Sequence, residues 1–191
     1  PALQGPHNAQ NAAVAIAVAQ ALGISDANVA AALESYASLP HRMQRVAEIG
    51  GVLYVNDSKA TNAASTAPAL AAWPPIEGRP RIHWILGGVA KSDNLDECVA
   101  SFPGIACAYT IGEAGPMFAG LLGAADVPVK ECELLVTAVS EAAANARPGD
   151  IVLLSPACAS FDQFRDFEAR GDAFAAAVAA LAEKGRTGEG A

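Results

Sequence analysis

Beyond residue 45 the chain alternates short, continuously apolar runs with alanine-rich segments. The runs RIHWILGG (81–88), CAYTIGE (107–113) and DIVLLSPA (150–157) are typical of strands buried on both faces of a sheet. Between two of them, LLVTAVSEAAANA (134–146) has the composition of a helix. Strands that alternate with helices predict an α/β fold, a doubly wound, Rossmann-like domain whose mainly parallel sheet carries helices on both faces.

The remaining segments of this region fit the same pattern. VAEIGGVLYVND (46–57) predicts a strand pair that turns at Gly50 and Gly51, and VPVKECE (127–133) predicts a short strand. Further helices are expected at 62–73, 95–102, 114–125 and 164–184.

Two helices precede the α/β region. Residues 8–22 predict a buried, alanine-rich helix that ends at Gly23, and residues 25–36 predict a second helix capped by Ser25 or Asp26. ASLPHRMQR (37–45) breaks the helical pattern, so we place a domain boundary at residue 40. We therefore expect three parts, which are a helical part at 1–40, the α/β domain at 41–184 and a disordered tail at 185–191.

Composition excludes several classes of protein. Of the 191 residues, 52% are hydrophobic and 17% charged, which favours a globular core over disorder. The net charge of −8 and the lack of a basic run argue against a nucleic-acid surface. No apolar run reaches the roughly 18 residues that cross a membrane. We expect a monomeric cytoplasmic protein, and because the chain does not begin with Met, we expect a piece of a longer one.

The four cysteines do not suggest a metal or catalytic site. None lies in a C-x-x-C pair, so free thiols in a reducing compartment are the expectation. Cys158 would need a histidine partner to act as a nucleophile, and none of the three histidines has a suitable spacing. No metal ligands are predicted in this chain.

Polar side chains concentrate where the predicted strands end. Ligands of doubly wound sheets bind beyond the carboxyl ends of the strands. NDSKATN (56–62), GGVAKSDN (87–94) and SPACASFDQF (155–164) all follow such ends. One edge should therefore gather the following side chains: Asp57, Lys59, Thr61, Lys91, Ser155 and Ser160.

Several of these residues also have a simpler explanation. Asp57 or Ser58 could cap the next helix, Lys91 could be a solvated loop lysine, and Ser160 could cap the last helix. The helical spacing of Phe161, Phe164 and Phe167 is also typical of core packing. A lysine at a buried strand end nevertheless favours a bound anion.

Five segments, in order and at plausible spacing, together resemble the Mur ligase family: GPHNAQNAAVAIAVA, LPHRMQRV, VNDSKATNAAST, LGGVAKSDN and LLSPACASFDQFRDFEARGDAF. The pair NDSKATN and SPACASFDQF is closest to the members that add D-glutamate. The resemblance implies an ATP- and Mg²⁺-dependent ligase that joins D-glutamate to UDP-N-acetylmuramoyl-L-alanine through an acyl phosphate. It also implies that 1–40 are the last helices of a central ATPase domain, whose phosphate loop this chain lacks. The chain should accordingly be inactive alone.

The resemblance also implies a role for each candidate residue. Lys59 would lie beside the transferred phosphate as the catalytic cation. The nucleotide would contact Asn8, Asn11, His41, Arg42 and Asp57. D-Glutamate would be held by Thr61, Lys91, Ser160 and Phe161, with Phe167 nearby.

One departure and two alternatives remain. The family tends to have G-G-D-x-K where this chain has Val89 before Lys91, which leaves the backbone contacts of that loop open. A folylpolyglutamate synthase would add L-glutamate instead. A non-catalytic α/β module would bind a nucleotide without binding D-glutamate.

Overall fold

The computed structural model describes residues 6–36 and 39–188. Its strands are β1 (Gln44–Ile49), β2 (Val52–Asn56), β3 (Ile82–Gly87), β4 (Ile105–Ile111), β5 (Val129–Glu133) and β6 (Ile151–Leu154). Its α-helices are α1 (Pro6–Ala21), α2 (Asp26–Ser35), α3 (Ala63–Ala71), α4 (Gly115–Ala124), α5 (Leu135–Asn145) and α6 (Phe167–Gly188). A 3₁₀ helix spans Asp96–Gly104.

The strands form one six-stranded sheet in the order β1-β2-β6-β3-β4-β5. β1 is an edge strand and pairs antiparallel with β2, whereas the other neighbours are parallel. The predicted doubly wound, mainly parallel sheet is confirmed. Because the parallel strands run the same way, the loops after β2, β3, β4 and β6 meet at one edge of the sheet.

Helices cover both faces of the sheet, each with its own apolar core. On one face, α3, the 3₁₀ helix and α4 bury side chains such as Leu70, Trp84 and Phe118. On the other face, α5 and α6 bury Tyr109, Val139 and Phe174. Central strands β3 and β6 are buried along their whole length, because neighbouring strands and helices enclose them on every side.

Three sequence expectations differ from the structure. The first helix is not buried, since Val14 and Val18 of α1 are 66% and 54% exposed and the helix packs on α2. The segment 95–102 forms a 3₁₀ helix. The last helix begins at Phe167 instead of residue 164 and continues through 185–188, where a tail was expected. Residues 1–5, 37–38 and 189–191 of the predicted parts lie outside the described residues.

Two glycines after β3 allow the close approach of neighbouring backbone. Gly87 and Gly88 have φ angles of 127° and 126°, a region that L side chains rarely adopt. A Cβ on Gly87 would overlap the carbonyl oxygen of Ile111, and one on Gly88 would overlap that of Ala159. The glycines therefore let the ends of β3 and β4 and the loop after β6 lie against each other.

Replacement of Gly87 by alanine should destabilise the domain by about 3 kcal/mol, because both the φ angle and the Ile111 carbonyl oppose a methyl group. Thermal or urea unfolding measures the loss. Gly120→Ala in α4 is the matched control, since its Cβ would meet nothing within 4 Å and alanine favours a helix. Equal stability of the two variants would contradict the packing described for β3.

Candidate functional site

Successive residues at the end of β2 point to opposite faces of the sheet and tie the following loop to both. Asn56 donates to the carbonyl oxygen of Gly171 on α6 (3.0 Å) and accepts from the backbone N–H of Ser58 (3.1 Å). Ser58 Oγ donates to the carbonyl of Phe167, also on α6 (2.8 Å). Asp57, between them, accepts instead from Ser155 after β6, whose hydroxyl also reaches Thr66 on α3. The alternation of a strand thus continues into NDSK and fixes its conformation.

Asp57 is a buried carboxylate held by two donors. One oxygen accepts the backbone N–H of Met43 (3.1 Å) and the other accepts Ser155 Oγ (2.8 Å). The Ser155 hydroxyl also lies 3.1 Å from Thr66 Oγ1 on α3. Burial raises the pKa of Asp57 to about 6, although the two hydrogen bonds and Arg42 act in the opposite direction.

His41 packs between the end of β2 and the first turn of α6. Its Nδ1 accepts the amide of Asn56 (3.1 Å), so the proton of the neutral ring is on Nε2. Nε2 lies 3.8 Å from the carboxylate of Asp172. A side chain at Gly171 would overlap the imidazole, so α6 approaches His41 as closely as a glycine permits.

The Lys59 ammonium lies over an aromatic ring at the same edge. Its Nζ is 3.9 Å from the centroid of the Phe167 ring, a cation–π contact, and its backbone N–H donates to the carbonyl of His41 (3.0 Å). No carboxylate within 4.0 Å pairs with Lys59 among the described side chains. The ring holds the ammonium in place while its charge remains available to an anion.

The loops that carry Lys91 and Ser160 are joined by a short antiparallel bridge. Val89 N–H donates to the carbonyl of Ala159 (2.9 Å), and Ala159 N–H donates to the carbonyl of Val89 (3.0 Å). Lys91 is exposed two residues beyond the bridge, and Ser160 is buried one residue beyond it. Val89 therefore joins the two loops through its backbone N–H and carbonyl. These are the backbone contacts that the sequence left open for this loop.

Left-handed backbone angles cluster around these loops. His41, Met43 and Ala157 have φ angles of 60°, 46° and 57°, and none of them is a glycine. Such conformations cost about 1 kcal/mol or more each and persist where surrounding contacts impose them. Their position beside Asp57 and in the SPACAS loop favours a functional site over a set of simple turns.

The simpler explanations are wrong for four residues. Asn62 caps α3 by accepting Ser65 N–H (2.8 Å), so neither Asp57 nor Ser58 does. Asp166, not Ser160, accepts from the first turn of α6 through Ala169 N–H (2.6 Å). Phe161 is 73% exposed on the site loop and is not part of the core.

Most of the predicted residues meet at the carboxyl edge, but the α1 pair does not. The loops after β2, β3 and β6 carry Asp57, Lys59, Thr61, Lys91, Ser155, Ser160 and Phe161, while His41 reaches this edge from the segment before β1 and Phe167 begins α6. Arg42 adjoins them and is exposed. Asn8 and Asn11 lie on α1, where Asn11 lines an apolar groove of about 420 Å³ between α1 and α2.

Sequence reasoning missed Asn56, Thr66 and Arg170. Arg170 lies on the buried stripe of α6 that includes Phe174 and Val178, so a charged residue at a core position was the available signal. Thr66 and Asn56 had no comparable signal, because threonine and asparagine are common in helices and at strand ends.

The part of the chain that the structure describes contains no group of three metal-ligating side chains. Asp57 is the buried carboxylate of the site, and its oxygens are occupied by Met43 and Ser155. These donors alone do not fit the oxygen cage of Mg²⁺. No helix in that part is long and apolar enough to cross a membrane.

The contribution of Asp57 to the free energy of unfolding should fall as the pH rises from 4 to 7, whereas the pKa of His83, which burial lowers, acts in the opposite direction. The folded pKa of Asp57 is about 6 and its unfolded value 3.8, so the folded state binds more protons in this window. The contribution of Asp57 to stability is complete below pH 3.8, is lost as the pH passes 6 and amounts to about 1–3 kcal/mol.

Urea unfolding across this pH range tests the assignment. The Asp57→Asn variant should lose this part of the pH dependence. Asp93→Asn, at an exposed loop position, should keep the wild-type profile. Parallel profiles for the wild type and Asp57→Asn would show that Asp57 does not titrate in the window.

Comparison with known proteins identifies the family of the chain. Residues 41–158 match the family model described as "Mur ligase, glutamate ligase domain". The chain is 62% identical over 183 residues to UDP-N-acetylmuramoylalanine--D-glutamate ligase of Novosphingobium aromaticivorans, covering 96% of this chain and 40% of the relative. The corresponding enzyme of Zymomonas mobilis is 60% identical over 181 residues, covering 95% and 40%. The chain thus spans about two fifths of the length of these curated relatives.

Solved structures share the fold at low sequence identity. UDP-N-acetylmuramate-alanine ligase of Thermotoga maritima superposes with a TM-score of 0.68 at 15% identity, over 93% of this chain and 39% of that one. Folylpolyglutamate synthase of Mycobacterium tuberculosis gives a TM-score of 0.58 at 18% identity, over 90% and 41%. Since the family model matches more than half of its length, the chain belongs to the Mur ligase family and contains that family's glutamate ligase domain.

Proposed function

We propose that this chain is the D-glutamate-binding part of an ATP-dependent ligase of peptidoglycan precursor synthesis, acting in the cytoplasm. The observation that carries the proposal is the meeting of two loop pairs at one sheet edge. In the first pair, the loop after β2 places Asp57 and Lys59 beside His41, which lies before β1. In the second pair, the Val89–Ala159 bridge joins the loops that carry Lys91 and Ser160. The high identity to D-glutamate ligases supports the choice of amino acid.

The β2 loop would handle the nucleotide. In the proposed reaction, a carboxylate of UDP-N-acetylmuramoyl-L-alanine takes the terminal phosphoryl group of ATP and forms an acyl phosphate and ADP. Lys59 has an available ammonium, fixed by Phe167, to neutralise the transferred phosphate. Arg42 and Asp57 would hold phosphate and ribose, with His41 adjacent. The Asp57 carboxylate is already oriented by Met43 and Ser155, so binding need not order it.

The second loop pair would hold D-glutamate. A dicarboxylate needs cationic and hydroxyl donors at both ends, and charge-assisted hydrogen bonds of this kind are strong. Lys91 offers the cation, Thr61 and Ser160 offer hydroxyls, and Phe161 offers an exposed apolar surface. The amine of the bound D-glutamate would then attack the acyl carbon and expel phosphate, which leaves the new amide.

We propose that α1 and α2 end a central ATPase domain and that the α/β domain begins near residue 41. The exposed apolar side chains of this helical pair, including Val14, Val18 and Leu33, are typical of a surface that packs on further protein. Asn8 and Asn11 would contact the nucleotide from that side. Magnesium would accompany ATP with ligands that come mostly from the rest of the enzyme.

An NMR titration of the chain with D-glutamate tests the amino-acid assignment. Saturable shifts of Thr61, Lys91 and Ser160 amides are expected with D-glutamate and not with L-glutamate. Lys91→Ala should weaken binding by about tenfold or more, because it removes a charge-assisted contact. Lys130→Ala is the matched control, since Lys130 is an exposed lysine paired with Glu141. Equal shifts with both enantiomers would favour an L-glutamate ligase, and no shift with either would reject this site.

The chain alone should not turn over ATP in the presence of D-glutamate and UDP-N-acetylmuramoyl-L-alanine. No segment matches the phosphate loop pattern G-x-x-x-x-G-K-[ST], and the Asp57 site lacks a magnesium cage. Phosphate release measures turnover, with the longer Novosphingobium aromaticivorans relative as positive control. Phosphate release that depends on D-glutamate would contradict this expectation.

A further inference from the structure

Arg170 is a fully buried cation that forms no ion pair with a described carboxylate, although the charge of Asp162 acts on it from a greater distance. Its side chain is 1% exposed, and no carboxylate oxygen of the described residues lies within 4.0 Å of it. Its Nη1 has no hydrogen-bond partner. Burial lowers the pKa of the guanidinium to about 10, so it is still charged at neutral pH. Buried charges are normally paired, so an unpaired one calls for a specific explanation.

The guanidinium bonds to both loops of the candidate site. Nε donates to Ser58 Oγ (3.0 Å), and Nη2 donates to the carbonyls of Ser58 (2.9 Å) and Cys158 (3.0 Å). Ser58 lies between Asp57 and Lys59, and Cys158 lies two residues before Ser160. One planar group therefore sets the separation between the segment that would bind phosphate and the segment that would bind D-glutamate.

Neutral groups could have joined these loops. The acceptors are two backbone carbonyls and a hydroxyl, which an amide or a water molecule could also satisfy. An arginine adds a rigid fork with several donors and a permanent positive charge. Because no carboxylate forms an ion pair with it, and the more distant Asp162 offsets its charge only in part, Arg170 contributes a positive potential beneath loops whose proposed ligands are anions.

We propose that Arg170 is a positioning residue of the site, which fixes the spacing of residues 57–61 and 158–160 and favours anionic ligands between them. This role rests on the proposed function for the identity of the ligand, but not for the spacing of the loops. Arg170 itself does not touch the proposed substrates.

The test compares Arg170→Met, Arg170→Lys and the control Arg165→Met. Arg165 lies five residues before Arg170 in the sequence. It is exposed and forms an ion pair with the adjacent Asp166. Amide hydrogen exchange and D-glutamate affinity are measured on each variant under conditions where it is folded. Arg170→Met should speed exchange at 59–60 and 159 and weaken D-glutamate binding by about tenfold. Arg170→Lys should recover part of the affinity because it keeps the charge, and Arg165→Met should match the wild type.

Two results would overturn the proposal. One is a folded Arg170→Met chain with wild-type exchange at both segments. The other is a uniform rise in exchange that includes β4, which would show only a loss of global stability. If Arg170→Met does not fold, Arg170→Lys serves as the test of the proposal. A lysine cannot replace all the donors of the guanidinium, so amide exchange must then rise at 59–60, at 159 or at both. A wild-type chain that does not bind D-glutamate would count against the proposed function, and the exchange data would still judge Arg170.

Discussion

The structure depends on the alternation of side chains at the end of β2. Asn56 and Ser58 bond to α6, whereas Asp57 bonds to Ser155 after β6, whose hydroxyl also reaches Thr66 on α3, so three consecutive residues link the loop to helices on both faces of the sheet. A shift of one residue in this strand would exchange these partners and bury the Asp57 carboxylate among the wrong groups. The parallel register of β2 with β6 therefore determines where Lys59 and Thr61 emerge.

The two cations of the site, Lys59 and Arg170, are held firmly in place but not by carboxylates. Lys59 is held by an aromatic ring instead of a carboxylate, and Arg170 is held by carbonyls and a hydroxyl. Neither cation forms an ion pair with a described carboxylate, although Asp162 acts on Arg170 from a distance and the chain as a whole carries a net charge of −8. An acidic protein can thus offer a local positive potential to an anion without a general basic surface, because a few cations act in a partly dry environment.

The sequence was sufficient to predict the parallel sheet and most of its carboxyl-edge residues. Continuous apolar runs such as WILGG and VLLSPA require burial on both faces, and that in turn places NDSKATN and SPACAS at one edge. The exposure of Val14 and Val18 was not predictable, since composition shows that a helix can be buried but not what covers it. The link from Arg170 to Ser58 joins residues 112 positions apart, a contact that local patterns do not encode.

The left-handed segment at His41 and Met43 connects the helical pair to the sheet, and it also holds a hydrogen bond that the site needs. Met43 N–H orients Asp57, and the carbonyl of His41 receives the N–H of Lys59. A rotation of α1 and α2 that changed the φ angle of His41 or Met43 would also change the direction of these two groups. Such a movement would reach the acid and the lysine through two peptide units, without a ligand.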